Sequence, residues 1–173
     1  HFILHIGPTN SGKTHNALKA LKNANSGVYL APLRLMAYET YETMNENGIL
    51  CSMLTGEEKI SVQEAKIVSM TIELLNLDKQ FNVAVIDEAQ MLSDTRRGGA
   101  WTNAILGLAA KEIHICMAPE AEKLTCTLIE MCTNDTYEIH HYERKTPLVC
   151  DEEIFHFPES VRKNDALIVF SKA

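Results

Sequence analysis

Several features that would define a membrane or secreted protein are missing from this sequence. No run of eighteen or more apolar residues occurs, so no membrane-spanning helix is expected. No signal peptide is visible at the start. None of the five cysteines forms a Cys-x-x-Cys pair, which excludes the usual zinc spacing, and their odd number favours a reducing compartment. We therefore expect a cytoplasmic location. The mitochondrial matrix stays open, because the sequence starts almost inside a strand and we expect its natural N-terminus to be missing.

Excess positive charge is also lacking. The chain carries 16 Lys and Arg against 23 Asp and Glu, a formal net charge of −7. A domain that grips nucleic acid by charge alone is usually basic, so strong independent binding of this kind is not expected. No internal repeat or low-complexity segment occurs. The 173 residues suffice for one sizeable core.

Short apolar runs alternate with amphipathic stretches along the chain, which predicts an α/β fold with a mostly parallel sheet and helices on both faces. The predicted strands are 2–6, 27–32, 65–70, 82–87, 112–118 and 136–142. The predicted helices are 13–21, 34–44, 71–77, 100–110 and 119–132. The charged stretch 143–165 contains two prolines and reads as a linker. Segment 166–173 reads as one more buried strand, which we expect to open a second, truncated domain.

The first predicted strand runs directly into a loop that matches the phosphate-binding pattern G-x-x-x-x-G-K-[ST]. Its glycines let backbone N–H groups turn inward around an anion, and the following helix points its positive end at the same place. Lys13 supplies a positive charge for the outer phosphates, and Thr14 offers its hydroxyl to Mg²⁺. The predicted nucleotide-binding residues are Gly7, Pro8, Thr9, Asn10, Ser11, Gly12, Lys13 and Thr14.

A second acidic motif follows another apolar strand, in "VAVIDEAQ". This strand delivers Asp87 and Glu88 at its carboxyl end, where ligands bind in parallel sheets. We expect Asp87 to hold Mg²⁺ together with Thr14, and Glu88 to orient or deprotonate the nucleophile that attacks the γ-phosphate. The two motifs together predict a site for ATP and Mg²⁺.

The fate of the γ-phosphate is not decided by these two motifs. Activation of water gives an ATPase, and activation of a substrate hydroxyl gives a kinase. Thymidine kinases also pair a phosphate loop with "DEAQ", but they usually carry paired zinc cysteines, which this chain lacks. A P-loop NTPase that acts on DNA is a third alternative.

The remaining segments favour a helicase. In order, they are "YLAPLRLMAYE", "LTGEE", "SMTIE", "DEAQMLSDTRRGGAWTNAILGL", "IHICMAPEA" and "ALIVFSK". Together with the phosphate loop they resemble the mitochondrial degradosome (Suv-type) family of superfamily-two RNA helicases and its bacterial relatives. The resemblance implies a RecA-like domain over 1–142, the linker 143–165, and the first strand of a second RecA-like domain over 166–173. Ala89 and the "CMAPEA" sequence depart from the family pattern and favour a bacterial member.

The resemblance also implies roles for residues outside the two motifs. Lys13, Glu88 and Gln90 would be the catalytic residues, with Gln90 coupling the nucleotide state to the domain interface. The segment 114–120 would link hydrolysis to unwinding. RNA would be contacted by Arg34, Thr55, Gly56 and Thr71. The implied partners are RNA, single-stranded or duplex with an overhang, the second RecA-like domain in cis, and an exoribonuclease as a candidate.

Structural roles compete with several of these assignments. Arg34 could be a surface arginine at a helix start, and the two threonines could cap turns. Trp101 is expected to pack in the core rather than to stack on a base. The adjacent Arg96 and Arg97 could contact RNA or another domain, or be simply solvated. The histidines at 5, 140 and 141 are expected to pack or to face solvent, since no metal-ligand pattern joins them.

Overall fold

The computed structural model describes residues 1–144, 146–147, 149–150, 154–163 and 165–168. The α-helices are α1 (Lys13–Lys22), α2 (Arg34–Glu46), α3 (Gly98–Gly107) and α4 (Glu122–Cys132). The strands are β1 (Phe2–Ile6), β2 (Gly27–Ala31), β3 (Cys51–Leu54), β4 (Lys59–Ile60), β5 (Ile67–Thr71), β6 (Gln80–Ile86), β7 (Ala109–Met117) and β8 (Tyr137–His141). Short 3₁₀ helices span Ile72–Leu74, Ala89–Ser93 and Pro119–Ala121.

All eight strands form one sheet in the order β4-β3-β5-β2-β6-β7-β1-β8. Every neighbouring pair is parallel except β3 with β4, which is antiparallel. Parallel strands need crossover connections, and here the four α-helices supply most of them. The carboxyl ends of the parallel strands therefore meet at one edge of the sheet.

The central strands are buried on both faces. In β2, Val28 and Leu30 pack into a cluster with Trp101 of α3, whereas Tyr29 packs on the opposite face with Leu21 of α1. Strand β6 divides in the same way between the two clusters. Helices α1 and α2 thus cover one face and α3 and α4 the other, which confirms the predicted fold class.

The structure corrects some of the predicted elements. Strands β3 and β4 were not predicted, because four and two residues are too few to show a clear apolar pattern. The helix predicted over 71–77 is only a 3₁₀ turn at Ile72–Leu74. The helix predicted over 100–110 ends at Gly107, and β7 begins at Ala109. Pairing with β6 overrides the helix propensity of Ala109 and Ala110.

The described residues beyond 142 form no helix and no strand. Within the predicted linker 143–165 they show only turns, bends and irregular backbone. Of the strand predicted over 166–173, residues 166–168 are irregular and 169–173 lie outside the described residues. The assignment of this stretch to a second domain stays a prediction. Among the described residues, no helix is both long and apolar enough to cross a membrane.

Candidate nucleotide site

The two predicted motifs meet at the carboxyl edge of the sheet. Strand β1 leads into the phosphate loop and β6 leads into Asp87, with β7 lying between them. The Thr14 hydroxyl donates a hydrogen bond to Asp87 Oδ1 at 3.2 Å. Residues 73 positions apart in sequence are therefore in direct contact, at the edge of the sheet where ligands bind in folds of this type.

The phosphate loop has the backbone of an anion-binding turn. Asn10 and Gly12 adopt left-handed φ values of 62° and 89°, which glycine and asparagine tolerate best. A Cβ at Gly7 would lie 2.7 Å from the Tyr142 carbonyl oxygen and 2.9 Å from Ser11 Oγ. Any side chain at position 7 would therefore collide with Tyr142 and Ser11, so the loop requires glycine there.

Two side chains of the loop are suited to a phosphate. The Ser11 hydroxyl is buried and has no hydrogen-bond partner among the described residues. Such orphaned groups are costly unless a ligand satisfies them. Lys13 is 6% exposed, and its Nζ donates to the Pro8 carbonyl oxygen at 3.3 Å. These features fit a bound phosphate with Lys13 as its counter-charge.

Asp87 is held from three sides. The carboxylate accepts hydrogen bonds from Thr14, from the Tyr29 hydroxyl at 2.8 Å on Oδ2, and from the Glu88 backbone N–H at 2.9 Å on Oδ1. Asp87 is 1% exposed, and this burial raises its pKa above the ordinary value, whereas the hydrogen bond from Tyr29 lowers it. Burial together with the Asp87 charge raises the pKa of Tyr29, so its hydroxyl stays a donor.

The donors present fit Mg²⁺. Asp87 and Thr14 offer hard oxygen ligands beside the phosphate loop, and Mg²⁺ is commonly held by one or two carboxylates plus substrate phosphates. No group of three or more His, Cys, Asp or Glu side chains among the described residues could hold a metal. The site would therefore depend on the nucleotide to complete the coordination of the cation.

Glu88 and Gln90 form a second contact network. Glu88 has a left-handed backbone with φ 52°, which is uncommon for a residue other than glycine and clusters at functional sites. The Gln90 amide donates to Glu88 Oε2, and its Oε1 accepts a hydrogen bond from the Ala118 N–H at 3.2 Å. Gln90 thus joins the acidic motif to the end of β7, within the predicted segment 114–120.

The predicted RNA-facing residues all lie at the carboxyl ends of three adjacent strands. Arg34 begins α2 after β2, and its guanidinium forms an ion pair with Glu57, the neighbour of exposed Gly56. Thr55 follows β3 and is 5% exposed. Its hydroxyl accepts a hydrogen bond from the Glu58 N–H at 3.1 Å, as a turn-capping residue does.

Thr71, the fourth of these residues, ends β5 and is half-buried. Strands β3, β5 and β2 are neighbours in the sheet, so the four positions share one surface. Their contact with RNA stays a prediction.

The first 142 residues match a known protein family, the DEXQ-box helicase domain of Suv3. The chain belongs to this family. The "DEAQ" sequence at Asp87–Gln90 is its DEXQ box.

Mitochondrial RNA helicases are similar to this Suv3-family chain over nearly its whole length. It is 44% identical over 173 residues to the ATP-dependent RNA helicase SUV3L of Oryza sativa, covering 98% of the chain and 23% of that protein. It is 42% identical over 174 residues to human SUPV3L1, covering 98% and 22%, and 43% identical over 178 residues to yeast SUV3, covering 99% and 24%. The chain thus spans about a quarter of the length of these relatives.

Solved helicase structures share the fold. The Suv3-family chain superposes on a hypothetical ATP-dependent RNA helicase from Sulfolobus tokodaii with a TM-score of 0.62 and 16% identity, covering 80% of this chain and 47% of that one. The Hef helicase domain of Pyrococcus furiosus gives 0.58 and 18%, covering 84% and 35%. At this identity the likeness concerns the fold alone, and it confirms the RecA-like prediction.

Several contacts were not foreseen from the sequence. Trp101 is buried as expected, but its indole N–H also donates to the Asp87 carbonyl oxygen at 2.9 Å. Arg97 is tethered rather than simply solvated, through an ion pair with Glu73. Tyr29 has no predicted role beyond its place in a strand. The signal available for Tyr29 was its hydroxyl in an otherwise apolar strand, since a buried hydroxyl requires a partner.

Three histidines also form a cluster that was not foreseen. His5 Nε2 lies 2.9 Å from His114 Nδ1, and its Nδ1 lies 2.7 Å from the Tyr142 hydroxyl oxygen. The His140 ring stacks on His5 at 5.8 Å between centroids. Burial, with His114 and His140 adding to it, lowers the pKa of His5 to about 4. His5 packs as expected, but in a stacked polar group that three strands share.

Proposed function

We propose that this chain is the ATP-binding motor domain of an ATP-dependent RNA helicase. One observation carries the proposal: a phosphate loop and a DEXQ box are in direct contact through Thr14 and Asp87, in a chain of the Suv3 helicase family. The curated relatives bear the name ATP-dependent RNA helicase. The proposed activity is ATP hydrolysis used to move along RNA or unwind it.

Within this proposal the loop residues bind the triphosphate. Backbone N–H groups of the loop, the Ser11 hydroxyl and the Lys13 ammonium would contact the phosphate oxygens. Thr14 and Asp87 would hold Mg²⁺. When bound, Mg²⁺ neutralises charge that develops on the phosphates. Tyr29 keeps the carboxylate of Asp87 in place through its 2.8 Å hydrogen bond.

Glu88 is the residue proposed to activate water. Its carboxylate lies next to the metal-binding Asp87 and is oriented by the Gln90 amide. It would accept a proton from the attacking water, or align that water, during transfer of the γ-phosphoryl group. Because Gln90 also contacts Ala118, a change at the γ-phosphate would shift the backbone at the end of β7.

The surface formed by Arg34, Thr55, Gly56 and Thr71 is the proposed path for the RNA backbone. A net charge of −7 makes weak binding by this domain alone the expectation, because phosphate contacts supply most affinity for nucleic acids. A second RecA-like domain in cis would complete the groove and the site. An exoribonuclease remains a candidate protein partner.

A reducing compartment is the proposed location. All five cysteines are free thiols, as such a compartment allows. The curated relatives are mitochondrial proteins, so the mitochondrial matrix joins the cytoplasm in this proposal. Membership of a bacterial branch stays a prediction.

Phosphate release by the full-length protein tests the function. We expect ATP turnover that rises severalfold with single-stranded RNA and does not change with thymidine. A matched single-stranded DNA of the same sequence distinguishes an RNA-directed from a DNA-directed motor. Formation of thymidine monophosphate without stimulation by RNA would replace the helicase with a nucleoside kinase.

A further inference from the structure

The sequence "RRGGAW" follows the DEXQ box and has no part in the proposed chemistry, yet its side chains make unusual contacts. Trp101 is fully buried, and its indole N–H donates to the Asp87 carbonyl oxygen at 2.9 Å. The Asp87 carboxylate also accepts hydrogen bonds from the hydroxyls of Thr14 and Tyr29. Trp101 therefore holds the backbone at the centre of the nucleotide site from the α3 side of the sheet.

Arg97 lies over the same tryptophan. Its guanidinium carbon is 5.5 Å from the centre of the Trp101 ring, within cation–π range. Nε and Nη2 donate to Glu73 Oε1 at 2.9 and 2.7 Å, and Nη2 also donates to the Pro32 carbonyl oxygen. One guanidinium group thus contacts three residues at once.

Pro32 and Glu73, the two hydrogen-bond acceptors of Arg97, lie next to the proposed RNA path. Pro32 precedes Arg34 by two residues, at the end of β2. Glu73 follows Thr71 by two residues, after β5. The Arg97–Trp101 pair therefore connects two segments of the proposed RNA path to the backbone of Asp87.

The loop before α3 is built to hold Arg97 in this position. Asp94 Oδ1 accepts hydrogen bonds from the backbone N–H groups of Arg96 and Arg97, both at 2.8 Å. A Cβ at Gly98 would lie 2.4 Å from the Leu92 carbonyl oxygen, so the close approach requires glycine. The side chains of Arg97 and Glu73 are 36% and 43% exposed, and an ion pair this exposed contributes little to stability. A positioning role accounts better for such a constrained loop.

We propose that the Arg97–Trp101 pair couples RNA binding to the nucleotide site, an inference that rests on the function proposed above. RNA on the surface next to Pro32 and Glu73 shifts the guanidinium group, and Trp101 passes this shift to the Asp87 carbonyl. Arg97 is a positioning residue in this scheme, since it acts on Asp87 through Trp101. Because coupling is reciprocal, bound ATP also strengthens RNA binding through the same contacts.

Arg97→Met and Arg97→Lys in the full-length protein test this inference. Methionine keeps much of the aliphatic stem and removes the donors. Lysine keeps the charge, but it cannot supply the planar fork that reaches Glu73 and Pro32 while covering the indole. Arg96→Met is the matched control, because among the described residues the Arg96 side chain makes no hydrogen bond or ion pair.

Four quantities are measured for each variant: Mg²⁺–ADP affinity without RNA, turnover without RNA, turnover with saturating single-stranded RNA, and RNA affinity with and without a non-hydrolysable ATP analogue. For both Arg97 variants we expect the stimulation by RNA to fall about fivefold or more. The gain in RNA affinity from the analogue should fall by a similar factor. Nucleotide affinity and RNA-free turnover should stay within about twofold, and Arg96→Met should match the wild type.

The outcomes separate the two proposals. A wild-type protein without RNA stimulation contradicts the helicase function itself. If RNA stimulates turnover equally in the wild type and in the Arg97 variants, only the coupling role is overturned. The same holds if the Arg97 variants lose RNA-free and RNA-stimulated turnover by the same factor. If Arg97→Met fails to fold, Arg97→Lys and Glu73→Gln carry the test. Unfolding of all three with Arg96→Met intact would assign these contacts to stability and also overturn the inference.

Discussion

At the scale of single residues, Lys13 is the simplest test of the phosphate loop. Its ammonium contacts the Pro8 carbonyl oxygen at 3.3 Å and would meet the outer phosphates of a nucleotide. We expect Lys13→Ala to weaken binding of a fluorescent Mg²⁺–ADP analogue by about 1.5–3 kcal/mol or more, the cost of one charge-assisted contact. Lys19→Ala, an exposed lysine on the same helix, is the control. Unchanged affinity with a folded Lys13 variant would contradict the phosphate-loop assignment.

Glu88 separates binding from chemistry. Glutamine keeps the shape of the side chain but cannot accept the proton of the attacking water. We expect Glu88→Gln in the full-length protein to bind ATP as the wild type does and to lose nearly all hydrolysis in a single-turnover assay. Hydrolysis within about tenfold of the wild-type rate would point to another activating group.

Tyr29 is expected to matter for the metal rather than for the phosphates. Tyr29→Phe removes the donor to Asp87 Oδ2 and leaves that buried oxygen without its 2.8 Å hydrogen bond. We expect a loss of about 1–3 kcal/mol in the free energy of unfolding. The ratio of ADP affinities with and without Mg²⁺ should also fall. Tyr38→Phe, whose hydroxyl donates to exposed Glu42, should change neither quantity. A Tyr29 variant that keeps both values would show that the other donors suffice.

At the scale of elements, the stacked histidines make the contact between β7, β1 and β8 sensitive to acid. His5 faces His114 on β7 and both His140 and Tyr142 on the other side, and Glu138 raises its pKa slightly against these effects. The pKa of His5 is lowered from 6.5 to about 4 in the folded chain. As the pH falls, the unfolded chain therefore binds a proton first. The stability from neutral His5 is complete above about pH 6.5 and is lost as the pH falls toward about 4.

We therefore expect the free energy of unfolding to fall by about 2 kcal/mol from this group between about pH 7 and about pH 5. This change is measured by urea unfolding at the two pH values, on the wild type, His5→Gln and the exposed control His15→Gln. The pH dependence should shrink in His5→Gln and persist in His15→Gln. Parallel curves for all three proteins would show that His5 does not carry the acid sensitivity.

At the scale of the whole molecule, the chain 1–173 should bind Mg²⁺–ATP yet barely hydrolyse it. An arginine finger contributes about 10³–10⁵ in rate to transfer of the γ-phosphoryl group. We propose that a second RecA-like domain supplies such an arginine, since the described residues form only one sheet. Arg97 is already engaged with Glu73, and Arg96 follows the acidic pair on the same domain.

The difference in ATP hydrolysis is measured as phosphate release by this chain and by the full-length protein, each with and without RNA. RNA should not rescue the short chain, because in the proposed function RNA stimulates turnover by closing two domains around ATP. Turnover by the chain alone at near the full-length rate, raised by RNA, would contradict the two-domain proposal. It would then favour a self-contained enzyme.

Motifs of consecutive residues were accessible from the sequence. The phosphate loop, the DEXQ box and the alternating strands and helices are encoded by spacing and apolar periodicity within short windows. For this reason the fold class and the family could be predicted and were confirmed. The nucleotide residues could be named from the same motifs, and their roles await the experiments above.

Contacts between distant residues were decided by the tertiary structure. The pairs Tyr29–Asp87 and His5–His114 join residues 58 and 109 positions apart, and Arg97 meets Pro32 across 65. Each depends on which strands become neighbours and on which face a side chain emerges. A local pattern carries neither, because strand order is set by packing helices on both faces of the whole sheet. The short β3 and β4 were hidden for the same reason, since the pairing of β3 with β5 and of β4 with β3 stabilises them rather than their own few residues.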